Sequence, residues 1–231
     1  MSEKLFLRRL DLGSESRKLR SENMIVIVAM GDSLTVGYQS SIGGEWVESI
    51  PYTTFLEKKL LKMDQSQRKK LEFKLYNKGV SGELTGEMLA RFDGDVMSVR
   101  PDFVIILGGS NDLGWGISPN EVFKNLVEIY EAASNSGIQI IACSVPSILG
   151  YDSLIPPRIA LNDMIRTYCR EKGKAFADLF RATADPKTNR LLDEYSNDGL
   201  HLSTCGYQEI ADAIFEEALE GLLLWHLSQH K

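Results

Sequence analysis

The strongest constraint on this chain is an apolar, β-branched run, Met24-Ile25-Val26-Ile27-Val28-Ala29-Met30, that stops abruptly at Gly31-Asp32-Ser33-Leu34. Such a run reads as a buried strand. The stop places one hydroxyl, Ser33, at the carboxyl end of the first strong strand. In open α/β sheets that edge is where ligands bind. A serine there is a candidate nucleophile if the rest of the chain supplies a base and an oxyanion hole.

The remainder of the chain repeats the pattern. Further strands are predicted at about 71–76, 103–107, 138–145 and, more weakly, 175–179. Between them, helical spacing of apolar residues covers about 53–63, 157–171 and 204–219. Ser118-Pro119-Asn120-Glu121 joins a capping box to a proline at the first helical position, and Val122, Leu126, Ile129 and Ala133 then share one face. Strands alternating with helices imply a mostly parallel sheet covered on both faces. The expected architecture is a three-layer α/β/α sandwich with five strands in the flavodoxin-like order 2-1-3-4-5. Residues 24–231 read as one domain without internal repeats, and residues 1–23 as a polar arm or accessory segment.

Composition excludes several classes. A net charge of −6 and the lack of a basic run argue against a nucleic-acid binder. No apolar run approaches the ~18 residues of a membrane span. The N-terminal cluster Leu5-Phe6-Leu7 is too short for a signal-peptide core, so a cytoplasmic protein is expected. Cys143, Cys169 and Cys205 are far apart and odd in number, which suits buried free thiols better than a zinc site or a disulfide. A nucleotide binder is disfavoured because neither G-x-x-x-x-G-K-[ST] nor G-x-G-x-x-G follows a strand.

Four polar, glycine-bearing segments follow the strands: Gly31 to Leu34, Asn77 to Glu83, Gly108 to Asp112, and Asn197 to His201. A parallel sheet collects such segments on one edge. Serine needs a base to take its proton as it attacks, and His201 can be that base. Of the other two histidines, His226 and His230 lie in the last six residues, where fraying is expected. Asp198, three residues before His201, can fold back to fix the ring's tautomer. Backbone N–H groups of Ser33 and Gly82 and the side-chain amide of Asn111 can donate to a developing oxyanion. Asp32 and Asp112 are rival partners for His201, although Asp32 suits an ordering role in its own turn.

These blocks resemble the GDSL-type serine esterases of the SGNH hydrolase superfamily. Ser33 matches the nucleophile in Gly31-Asp32-Ser33-Leu34, and Gly82 the glycine block. Asn111 matches the oxyanion asparagine in Gly109-Ser110-Asn111-Asp112, and Asp198-Gly199-Leu200-His201 the Asp-x-x-His block. The resemblance spans about residues 24–219. It implies a cofactor-free, metal-free hydrolase of carboxylic esters working through an acyl-serine. Small-molecule esters of aryl, short-acyl, thioester, lysophospholipid or acetylated-carbohydrate type are the implied substrates, and a catalytically silent binding module is the rival reading. Trp46, Trp115, Leu149 and Tyr151 are candidate walls of the substrate pocket, with a core-plugging role equally open for Trp115. Leu222-Leu223-Leu224-Trp225 reads as a packed turn rather than a membrane anchor.

Overall fold

The computed structural model describes residues 24–41, 48–66 and 71–229, the side chains of residues 64–66 excepted. The N-terminal segment, Trp46 and His230 lie outside the described residues. Strands β1 (Met24–Gly31), β2 (Glu72–Gly79), β3 (Phe103–Leu107), β4 (Gln139–Cys143) and β5 (Ala175–Ala177) form one sheet in the order β2-β1-β3-β4-β5. Every pairing is parallel. β1 pairs on both sides, with Ile27 opposite Phe103 of β3 and Leu75 of β2. That central place explains its unbroken apolar run. The edge strand β2 instead alternates exposed and half-buried residues over its first four positions.

The helices are α1 (Ser33–Val36), α2 (Tyr52–Ser66), α3 (Thr85–Phe92), α4 (Ser110–Gly114), α5 (Pro119–Asn135), α6 (Ile155–Lys172), α7 (Leu179–Thr183), α8 (Thr204–Ile214) and α9 (Glu220–Gln229). The 2.0-residue period of the strands sorts their side chains into two cores. Ile25, Ile27, Ala29, Phe103 and Ile105 pack with Leu56 and Leu60 of α2 and Ile210 and Ile214 of α8. Val28, Met30, Val104 and Ile106 pack with Met88 and Phe92 of α3, Leu126 and Ile129 of α5, and Leu161 and Ile165 of α6. The Ser118 cap and the apolar face of α5 are as expected: Ser118 Oγ accepts the Glu121 N–H at 3.3 Å, and Val122, Leu126, Ile129 and Ala133 are all buried.

Several boundaries differ from the sequence reading for identifiable reasons. β4 ends at Cys143 because Val145 turns its backbone to a side chain; its N–H donates to Asn162 Oδ1 at 2.7 Å, and Asn162 Nδ2 donates to its carbonyl at 2.9 Å. β5 ends at Ala177 because Asp178 caps α7, accepting the Arg181 N–H at 3.1 Å. The last predicted helix breaks into α8, a π turn (Phe215–Leu219) and α9. His226 sits within α9 with its ring 5.5 Å from that of Phe103, so the fraying expected of it does not occur. Leu223 is fully buried, as a packed turn requires, while Leu224 and Trp225 are half exposed. Cys143 and Cys169 are buried, but Cys205 is exposed at the start of α8, contrary to expectation.

Ile105, fully buried in the middle strand of the sheet, reports on this core. Ile105→Ala is expected to cost about 2–5 kcal/mol in urea unfolding. A loss below about 1 kcal/mol contradicts the packing described.

Candidate active site

Ser33 opens α1 directly beyond β1. Asp32 caps that turn: its Oδ1 accepts the Leu34 N–H at 2.9 Å. The side-chain-to-backbone role read for Asp32 from the sequence is therefore the one it plays. Ser33 is buried, at 7% exposure.

The partner comes from the far end of the chain. Asp198 Oδ1 accepts the backbone N–H groups of Leu200 at 3.0 Å and His201 at 2.7 Å, which curls the segment into a tight turn. Gly199 completes the turn at φ 93, where a Cβ would stand 2.5 Å from the Leu149 carbonyl oxygen. Leu149 N–H donates to the Gly199 carbonyl at 2.8 Å and anchors the loop from outside. The curl brings Asp198 Oδ2 to 2.8 Å from His201 Nδ1. The other ring nitrogen, Nε2, lies 3.1 Å from Ser33 Oγ. With Nδ1–H donated to the carboxylate, Nε2 is the acceptor for the serine hydroxyl. The Tyr38 ring packs edge-on against the imidazole, 4.6 Å between centroids, and is itself fixed by Tyr207 donating to its carbonyl at 2.8 Å.

Gly82 takes φ 80, a left-handed conformation suited to glycine, with open space where a Cβ would be. Its loop is drawn to the end of β1 by the Val80 N–H, which donates to the Gly31 carbonyl at 2.9 Å. Asn111 Nδ2 donates to the Glu83 carbonyl at 3.0 Å, beside Gly82. An amide carries two N–H donors, so one remains to face a reacting group. The rival acids are engaged elsewhere: Asp112 accepts from Thr85 N–H and, at 2.6 Å, from Thr85 Oγ1.

A family model described as GDSL-like lipase/acylhydrolase matches residues 29–209, which span all four blocks. The chain belongs to the GDSL-like lipase/acylhydrolase family. It is thus an enzyme of the ester-hydrolase class. An arylesterase of Vibrio mimicus is 24% identical over 213 residues, covering 87% of this chain and 90% of the relative. A GDSL-like lipase of Bacteroides thetaiotaomicron superposes with a TM-score of 0.65 at 20% identity, covering 85% of this chain and 88% of its own. An acetylxylan esterase of Geobacillus stearothermophilus does so at 0.67 and 20%, covering 85% and 94%.

A cleft of about 500 Å³, within the range of small-molecule sites, lies between the Asn111 and Asp198 segments. Asn111 and Asp198 border it, with Trp115, Ile148, Tyr151 and Leu200 among its walls. Trp115 is 80% exposed and Tyr151 60%, so Trp115 is a wall of the cleft and not a core plug. Leu149 is not among the cleft's walls; it packs, partly buried, against the core, and its neighbour Ile148 takes the position expected of it.

Two contributors escaped the sequence reading. Ser40 Oγ lies 3.0 Å from Asp198 Oδ2 and 2.8 Å from Asn197 Oδ1, sharing its one proton between them, and its N–H donates to Asn197 Oδ1 at 2.7 Å. No sequence signal marks it. Arg158 also lines the cleft, and it does carry a signal: it stands three residues before Leu161 and seven before Ile165, on the buried face of α6.

The two acids of the site are tuned oppositely. Burial alone would raise the Asp198 pKa, but hydrogen bonds from the His201 ring and from the His201 and Leu200 N–H groups outweigh it and hold the carboxyl below its usual range. Asp32 is fully buried, its Oδ2 has no hydrogen-bond partner, and burial pushes it up to about 7. It therefore keeps its proton in the folded state over the interval from 3.8 to about 7 in which the unfolded chain releases it. Stability falls as pH rises through that window and does not recover above it. Asp32→Asn, neutral throughout, is expected to raise the Tm relative to the native residue at about pH 8 and to lose that advantage towards pH 4. A Tm difference that stays constant across that range contradicts the assignment.

Proposed function

We propose that this GDSL-family hydrolase cleaves carboxylic esters of small molecules through an acyl-Ser33 intermediate. The observation that carries the reading is the unbroken chain of hydrogen bonds from Ser33 Oγ through the His201 ring to Asp198. Ser33 attacks the acyl carbon while His201 Nε2 takes its proton. Asp198 stabilises the imidazolium that forms and holds the ring in the productive tautomer. The tetrahedral oxyanion is received by the backbone N–H groups of Ser33 and Gly82 and the free N–H of Asn111. His201 returns the proton to the leaving alcohol, which departs. Water then enters and attacks the acyl carbon as it gives a proton to His201; the bond to Ser33 Oγ breaks, His201 returns that proton to Ser33 Oγ, and the acid leaves.

The acyl or alcohol portion occupies the cleft between Trp115, Tyr151 and Leu200. Two exposed aromatic faces at its mouth suit a flat ring or a sugar. That observation favours aryl esters first and an O-acetylated carbohydrate second, the classes named for the Vibrio and Geobacillus relatives.

Hydrolysis of p-nitrophenyl esters from acetate to decanoate tests the reading. Ser33→Ala is expected to abolish turnover with an unchanged circular-dichroism spectrum. Asn111→Ala is expected to lower kcat by about 10²- to 10³-fold, the cost of one oxyanion donor. Undiminished kcat in Asn111→Ala removes that residue from the mechanism, and undiminished turnover in Ser33→Ala overturns the reading.

A further inference from the structure

Arg158 is the largest fully buried side chain among the described residues, at 1% exposure. It forms part of the cleft wall, yet its hydrogen bonds run to neutral acceptors: Nη1 donates to the Leu154 carbonyl at 3.2 Å and Nη2 to Ser110 Oγ at 3.0 Å. Its Nε has no hydrogen-bond partner. A buried guanidinium without a bonded carboxylate is costly. Among the described residues, the carboxylate that acts on it through space is Asp32, whose pKa burial pushes up to about 7 and whose charge is weakened accordingly. Burial lowers the Arg158 pKa to about 10, so it remains a cation. Ser110 transmits that charge to the cleft. Its oxygen accepts from the guanidinium, which leaves its own O–H to donate to a ligand. It also lines the cleft and stands next to Asn111 in the sequence.

We propose that Arg158 and Ser110 form an anion-recognising subsite in the cleft, and that the esters this enzyme takes carry a free carboxylate, as half-esters of short dicarboxylic acids do. The inference rests on the ester-hydrolase reading and narrows its substrate. The incoming carboxylate supplies the counter-charge that Arg158 lacks, with Ile148, Leu154 and Leu200 as apolar walls beside it; Asp198 also lines the cleft, but its charge is shared with the His201 ring and the Leu200 and His201 N–H groups, so the ligand carboxylate belongs at the Ser110 end.

The test compares kcat/KM of the full chain for p-nitrophenyl hydrogen glutarate and for p-nitrophenyl valerate, an acyl chain of the same length without the charge. The native enzyme is expected to favour the half-ester by about tenfold to hundredfold, the range for a hydrogen bond to a charged group. Arg158→Gln is expected to reduce that ratio at least tenfold, and Ser110→Ala to reduce it by a smaller factor. If Arg158→Gln does not fold, Ser110→Ala and the native ratio decide. A native enzyme that hydrolyses both esters equally through Ser33 overturns this inference alone. So does an Arg158→Gln enzyme that loses both activities in proportion, since Arg158 then merely balances Asp32. An enzyme inert towards both esters overturns this inference and the ester-hydrolase reading together.

Discussion

The hydrogen bond between Ser33 Oγ and His201 Nε2 joins residues 168 positions apart. Neither residue holds the other in place; each is delivered by its own rigid element. Ser33 is fixed by the end of β1, the central strand by pairing on both sides, and by the Asp32 cap. His201 is fixed by a turn whose geometry is set by one carboxylate, Asp198, which accepts two backbone N–H groups with one oxygen and the ring N–H with the other. Loss of that carboxylate removes the turn's shape and the ring's tautomer at once. Ser40 and Leu149 then tie the turn to two other loops, so the His201 segment is held from both sides.

Beneath the same edge, a half-buried charge cluster ties the loops together, with Glu83 its buried member. Arg91 on α3 forks onto the Glu83 carboxylate at 2.5 Å and also reaches the Lys78 carbonyl at 2.9 Å, Asp95 at 2.8 Å and the Gly31 carbonyl at 3.3 Å. One side chain thereby fastens the ends of β1 and β2 to the loop that carries Gly82. Glu83 in turn accepts from Asn111 through its carbonyl, and Asp112 clamps the start of α3 through Thr85. Buried ion pairs contribute little net stability but make wrong arrangements expensive. Here they fix donors that must face one small volume.

The fold was legible because its signals are one-dimensional. The five strands and the face of α5 follow from apolar runs, apolar periods and one good cap, and the order 2-1-3-4-5 from the flavodoxin-like arrangement expected of alternating strands and helices. The Ser33, Asn111, Asp198 and His201 positions were legible because each sits in a short polar block just past a strand or turn. What stayed hidden is of two kinds: local caps that the strand and helix periods do not register, and side chains meeting across loops. Helix α3 opens without a Ser, Thr, Asp or Asn cap, since Leu84 holds the N-cap and Glu87 closes it from within. The fifth strand ran long in the reading because the Asp178 cap that ends it is a local hydrogen bond. Leu149 and Ile148 are adjacent apolar residues, and only the backbone bond to Gly199 decides which of them faces the cleft. Ser40 meets Asp198 across 158 residues and leaves no trace in either segment.

In the proposed mechanism, His201 makes Ser33 a nucleophile. The most direct measurement is the rate of labelling by a fluorophosphonate, followed by intact mass and by mapping of the modified peptide. One adduct is expected, on Ser33, formed orders of magnitude more slowly in His201→Ala. An adduct on another residue, or an equal rate in His201→Ala, would contradict it.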